Sequence, residues 1–143
     1  MDTHPDIPRR KTDTHQDIPH RKTRIIIARL LHRILRLAHS AYIELPFMQA
    51  VEITVIVTAI FSAEHEGTPF STLGLSQLLG MPRPTLLRRL SLLRSKGIIF
   101  RDTEGLRINP RLFMTPLRDD SILLLRQIII DFGIELSKLM DDE

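Results

Sequence analysis

The chain has 143 residues, 43% of them hydrophobic, with 20 Lys and Arg against 17 Asp and Glu and no cysteine. That length suits one domain with a core of its own. The lack of cysteine excludes disulfides, thiolate zinc sites and a thiol nucleophile, and it fits a reducing cytoplasm, the expected location.

The net charge of +3 hides an alternation. Residues 1–43 carry nine Lys or Arg against four acids, and residues 44–82 carry four acids and no Lys or Arg. Residues 83–111 then carry eight bases against two acids, and residues 119–143 two bases against seven acids. Such blocks predict a polyanion-binding surface on one side of the fold.

The N-terminal segment repeats itself. DTHPDIPRRKT, residues 2–12, returns as DTHQDIPHRKT at 13–23 with two changes. A single duplication does not make a solenoid. With Pro at 5, 8 and 19 and few apolar residues, 1–23 reads as a flexible arm without a core. Its polarity predicts no secretory signal. His4, His15 and His20 invite a metal, but no thiolate or helical spacing gathers them, and no metal or other cofactor is expected.

From Arg24 onward, in the stretch read as the folded domain (24–143), the pattern becomes helical. Ile27, Leu30, Leu31, Ile34, Leu37, Ala38 and Ala41 recur at helical spacing, and Arg29, Arg33 and Arg36 line another face, which predicts an amphipathic helix over about 22–43. It ends before Pro46. A second helix, about 47–65, is apolar nearly all round and should be central. It includes the most apolar window of the chain, but its uncharged run of 53–63 is too short to cross a bilayer, and no membrane partner is expected.

Gly67 and Pro69 end that helix. Ser71 can cap a short helix reaching Leu79, and Gly80 suits a left-handed turn. A further helix runs from Pro82 or Arg83 to Lys96 and stops at Gly97. IIFRDTEGLRIN then reads as two short strands around DTEG. Thr115 and Pro116 mark the start of a last helix. Along it Ile122, Leu125, Ile129, Phe132, Leu136 and Leu139 follow a heptad spacing and can pack on the domain, whereas Leu124, Ile128 and Ile130 point elsewhere.

On the helix of 83–96, Leu86, Leu90 and Leu93 form the core stripe. The opposite side presents Pro84, Arg88, Ser91 and Ser95. Arg83 and Leu87 lie on one flank, Thr85 and Leu92 on the other. Arginine can grip guanine O6 and N7 together, and Leu87 suits a thymine methyl. Thr85 and the helix N-terminus suit phosphate.

The segment STLGLSQLLGMPRPTLLRRLSLLRSKGIIFRD, residues 71–102, resembles the winged helix-turn-helix of bacterial transcription regulators, most closely the MarR (multiple antibiotic resistance regulator) type. Leu78, Leu79 and Gly80 match its first helix. Arg83, Thr85, Leu86 and Arg88 match its second, and Leu93, Gly97, Ile98, Ile99 and Arg101 match the run into the first strand. Pro82 departs from the usual capping Ser or Thr, and the hairpin lacks the family's Asp-x-Arg, for which Arg101, Arg107 and Arg111 are candidate substitutes.

The resemblance implies a mainly α winged helix with flanking dimerisation helices, binding double-stranded DNA as a homodimer and regulating transcription. An effector small molecule would be unknown. The residues expected on DNA are Arg83, Pro84, Thr85, Leu87, Arg88, Arg89 and Ser91, with Arg101 and Arg107 from the wing. The dimer interface is expected over Ile27, Leu31, Ile34, Ile122, Leu125, Ile128, Ile129, Phe132 and Leu136. Two other readings use the same residues differently: a winged-helix protein-interaction module without DNA binding, and a membrane-surface protein using helix 22–43. No enzyme is expected, since the chain has no Gly-rich phosphate loop, no H-E-x-x-H, no calcium-loop pattern and no G-x-S-x-G.

Overall fold

The computed structural model describes residues 19–111 and 119–140. The described residues form α1 (Arg21–Ala41), α2 (Phe47–His65), α3 (Thr72–Leu79), α4 (Arg83–Ser95), β1 (Ile99–Arg101), β2 (Leu106–Ile108) and α5 (Asp119–Met140). The chain is mainly helical, with one small antiparallel hairpin.

The apolar character of α2 makes it the centre. Ala50, Ile53, Ile56, Val57, Ile60 and Ala63 are buried, and they pack with Leu75 of α3, Leu86, Leu90 and Leu93 of α4, and Ile99, Leu106 and Ile108 of the hairpin. Each buried Ile, Val or Leu among them contributes roughly 1.5–3 kcal/mol by leaving water. By length and composition alone α2 could also cross a membrane; here it is the axis of a core.

Glycine sets the ends of two helices. After α2, Gly67 takes φ 77°, its N–H donates to the Glu64 carbonyl, and Thr68 N–H donates to the Ala63 carbonyl. After α4, Gly97 takes φ 72° and the same two bonds run from Gly97 to Arg94 and from Ile98 to Leu93. Both are Schellman closures, which satisfy orphan carbonyls while reversing the chain. The predicted cap of α3 is present, with Ser71 Oγ accepting from Gly74 N–H at 3.0 Å. No side chain caps α4, whose N-cap is Pro82.

The hairpin pairs Ile99 with Ile108, Phe100 with Arg107 and Arg101 with Leu106. Asp102 closes its turn, its Oδ1 accepting from the N–H groups of Glu104 and Gly105. Leu106 N–H donates to the Phe70 carbonyl at 2.8 Å. Gly105, at φ 146°, permits this approach, because a Cβ there would stand 2.6 Å from the Phe70 carbonyl oxygen. Glu64 of α2 fastens the same edge of β2 two residues on, accepting from Ile108 N–H at 3.1 Å.

The end helices differ from the sequence expectation in three ways. First, α1 begins at Arg21, one residue before the expected start, so the last three residues of the second repeat belong to the helix. Residues 1–18 lie outside the described residues, as do Thr115 and Pro116.

Second, the buried face of α5 keeps Leu125, Phe132, Leu136 and Leu139 of the heptad seam, adds Ile128, and leaves Ile122 and Ile129 out. Ile128 and Phe132 are the buried residues, clustered with Ile26 of α1 and flanked by Leu30, Leu136 and Leu139. Ile122 and Ile129 are instead 38% and 50% exposed. A straight helix drifts about 20° per heptad from a 3.5-residue repeat. On an unsupercoiled α5 the arc centred on Phe132 therefore takes in Ile128 and leaves Ile122 and Ile129 at its edge.

Third, Ile128 and Phe132 are covered by this chain's own α1, so they are not a free interface. Leu37 shares a cavity with Leu124, while Ile26 near the other end of α1 meets Phe132, so α1 and α5 run antiparallel. The guanidinium of Arg33 lies 5.9 Å from the Phe132 ring centroid. Ala38 and Tyr42, at the other end of α1, are buried, with Tyr42 in the main core.

Candidate functional site

The outward face of α4 is supported from behind by Leu86, Leu90 and Leu93, which fix its rotation. The face itself carries Pro84, Leu87, Arg88, Ser91 and Ser95, all exposed, with Arg83 exposed on the flank and Thr85 half-buried. Arg83 and Arg88 make no ion pair or hydrogen bond among the described residues. Two cations thus stand free on one helix, with small or apolar neighbours that leave room for a flat or grooved partner.

Two expected contacts are committed elsewhere. Arg89 lies roughly 60° from Leu86 around the helix, on the core side. There its Nε donates to Glu52 Oε2 of α2 at 2.7 Å. Arg89 is therefore a brace between α4 and α2 and not part of the outward face.

Arg107 is likewise engaged. It donates to Asp102 Oδ2 at 2.9 Å and to Glu104 Oε2 at 2.5 Å, and lies 3.6 Å from Glu64 Oε1. The N–H of Glu104 and then the Arg107 guanidinium hold the Asp102 carboxyl below its ordinary range. Asp102 in turn holds the proton of Arg107 more tightly. This knot stiffens the hairpin turn and sets one guanidinium against three carboxylates, so the turn stays net negative.

Arg101, the other expected hairpin contact, is exposed while donating through Nη2 to Thr72 Oγ1 at the start of α3. It keeps the rest of its guanidinium for a partner. Beside it sits Arg94 of α4, which the sequence reading passed over. The two line one cavity with Thr72, Leu87, Leu90 and Ser91. A signal for Arg94 was available, since it falls on the same flank of the helix as Arg83 and Leu87. Its neighbour across the hairpin was not readable from spacing.

Of the expected dimer residues, Ile27 and Leu31 are 42% and 54% exposed, and Ile34, Leu125 and Leu136 are half-buried. The side of α5 turned away from α1 carries Leu123, Ile130 and Ile134, each about half exposed. Among the described residues, no three His, Cys, Asp or Glu side chains gather where they could hold a metal ion.

Comparison of the chain with protein-family models, with curated proteins and with solved structures finds no match.

Proposed function

We propose that this chain is a sequence-specific, double-stranded-DNA-binding transcription regulator of winged-helix type. Here α3 and α4 form the helix-turn-helix, α4 enters the major groove, and the β1–β2 hairpin is the wing. The observation that carries the reading is the outward face of α4. It presents the uncommitted Arg83 and Arg88 beside Pro84, Leu87 and Ser91, on a helix locked in rotation by three buried leucines. Arginine on a rigid helix face is suited to base edges, each bidentate pair discriminating by ~1–3 kcal/mol. The wing contributes through Arg101, since Arg107 is spent on Glu64, Asp102 and Glu104.

A homodimer completes this reading. Leu123, Ile130 and Ile134 form a second apolar stripe on α5, opposite the side that meets α1. Exposed together they make the kind of patch that marks an interface. Two copies joined there would offer two reading heads, and paired half-sites about 34–36 Å apart are the usual source of specific affinity.

The test is selection of bound sequences from a random duplex pool, followed by titration of the selected duplex. Arg88→Ala should weaken that complex by ~1–3 kcal/mol without moving the thermal midpoint. Failure to enrich any sequence, with no salt-dependent duplex binding, would overturn the reading. A second reading, an interaction module for another protein, is favoured by the exposed apolar side chains Leu73, Leu78, Leu87 and Phe100 around the same elements. Salt separates the two, because phosphate contacts give a steep dependence on salt concentration and apolar docking does not.

A further inference from the structure

Behind the outward face, where α4 meets the start of α3 and the end of β1, lies a cavity of about 250 Å³. It is lined by Arg94 and Arg101, by Ser91 and Thr72, and by Leu87 and Leu90. Two like charges thus line one small space, and no lining residue is acidic. Asp102 lines the neighbouring cavity with the same two arginines, but its carboxylate is engaged by Arg107 and by the backbone of its own turn. The Arg94 side chain has no ion pair or hydrogen bond among the described residues, and the Arg101 side chain has one neutral partner, Thr72. The arrangement gains stability when an anion enters. Leu87 and Leu90 strengthen that gain, since apolar walls lower the local dielectric.

We propose that this cavity is a seat for a phosphate group. Arg94 and Arg101 grip it from two sides, with Ser91 and Thr72 offering hydroxyls between them. Guanidinium forks match phosphate oxygens in pairs, which lysine does not. The position beside the outward face of α4 would hold the sugar-phosphate backbone of a duplex whose bases meet Arg83 and Arg88. That choice of source rests on the DNA reading, whereas the seat itself does not. The other source is a phosphorylated small molecule.

Nuclear magnetic resonance of the full chain tests the seat. Inorganic phosphate is titrated against chloride at equal ionic strength, observing the Nε–H signals of Arg94 and Arg101. Saturable shifts at both are expected in the unaltered protein, and in Arg94→Gln the Arg101 signal should lose its saturable shift. The Arg94 side chain makes no hydrogen bond or ion pair among the described residues, so this variant should keep its fold and thermal midpoint. The absence of saturable shifts in the unaltered protein would overturn the seat.

Duplex titration of the same two proteins tests the source. Arg94→Gln should lower the slope of log K against log salt by about 0.9, the equivalent of one phosphate contact. Binding of duplex with an unchanged slope would overturn the assignment to the DNA backbone. If the chain binds no duplex at all while inorganic phosphate still saturates the seat, the DNA reading fails and the phosphorylated small molecule is the ligand.

Discussion

Replacing Phe132 with alanine tests how α5 is held. The ring is 7% exposed and packs with Ile26 and Ile128 in a cluster separate from the main core. Truncation of a buried phenylalanine costs about 3–5 kcal/mol. The lower end applies here, because this cluster has only three buried members and its rim can collapse toward the gap. Loss of the Arg33 guanidinium over the ring adds at most about 0.5 kcal/mol at so open a site. Since α5 packs chiefly on α1, the penalty should fall on opening of α5 and not on unfolding of the whole chain. A cost of about 3 kcal/mol raises the open population roughly a hundredfold. Amide hydrogen exchange on Phe132→Ala, at a concentration low enough to exclude self-association, should show that loss of protection along α5 while α2 and α4 keep theirs. Equal loss in all three helices would refute the separation into two clusters. Unchanged protection in α5 would refute the packing.

Gly105→Ala should lower the thermal midpoint by the equivalent of ~1–3 kcal/mol, through the forced φ and the Phe70 carbonyl; Gly67→Ala, with open space around it, should cost less, and the two midpoints by calorimetry check the order. Arg89→Ala should destabilise the fold by about 1.5 kcal/mol in urea titration, the lower end for a charge-assisted hydrogen bond, since both partners keep some water; Glu52→Gln in the same background should then add little. Burial pushes the Tyr42 phenol up from 10.0 to about 12. Its contribution to stability is therefore complete below pH 10 and declines as pH rises from 10 toward 12, because the unfolded chain ionises first. Tyr42→Phe should flatten that part of the stability-against-pH curve, and an unaltered decline would assign it to other groups. Ile130→Glu should abolish self-association in sedimentation equilibrium while leaving the circular dichroism of the monomer intact, because the residue faces away from α1.

The parts of the fold that depend on local chemistry were readable in the chain. The continuous apolar surface of α2 required a central place, and Ser71, Gly67, Gly80 and Gly97 marked ends through caps and left-handed turns whose physics is confined to a few residues. DTEG placed the hairpin for the same reason. The partners of charged groups were not readable. Arg89 finds Glu52 from 37 residues away, and Arg107 finds Glu64 on another element, so a basic run looked more available than it is. On α5 the heptad spacing finds Leu125, Phe132, Leu136 and Leu139 but not Ile128, because a 3.5-residue repeat drifts from the face that a 3.6-residue helix buries. At the candidate site, the core side of α4 followed from its leucines. The meeting of Arg94 with Arg101 depends on how the hairpin folds back, which no spacing along α4 encodes.

The long first helix gives the corner that follows it unusual leverage. At Tyr42 the chain turns through Tyr42 N–H on the His39 carbonyl and Leu45 N–H on the Tyr42 carbonyl, with His39 Nε2 3.1 Å from the Leu45 carbonyl oxygen. Tyr42 itself is seated in the main core, while Ile26 lies most of the helix length away, in the cluster with α5. A helix of 21 residues is about 31 Å long at 1.5 Å per residue. A tilt of about 5° at that corner therefore swings its far end by roughly 3 Å, about the height of two helical residues. The corner at Tyr42 and His39 is thus the fulcrum that sets where the Ile26 end of α1, and the α5 cluster on it, stands relative to the main core.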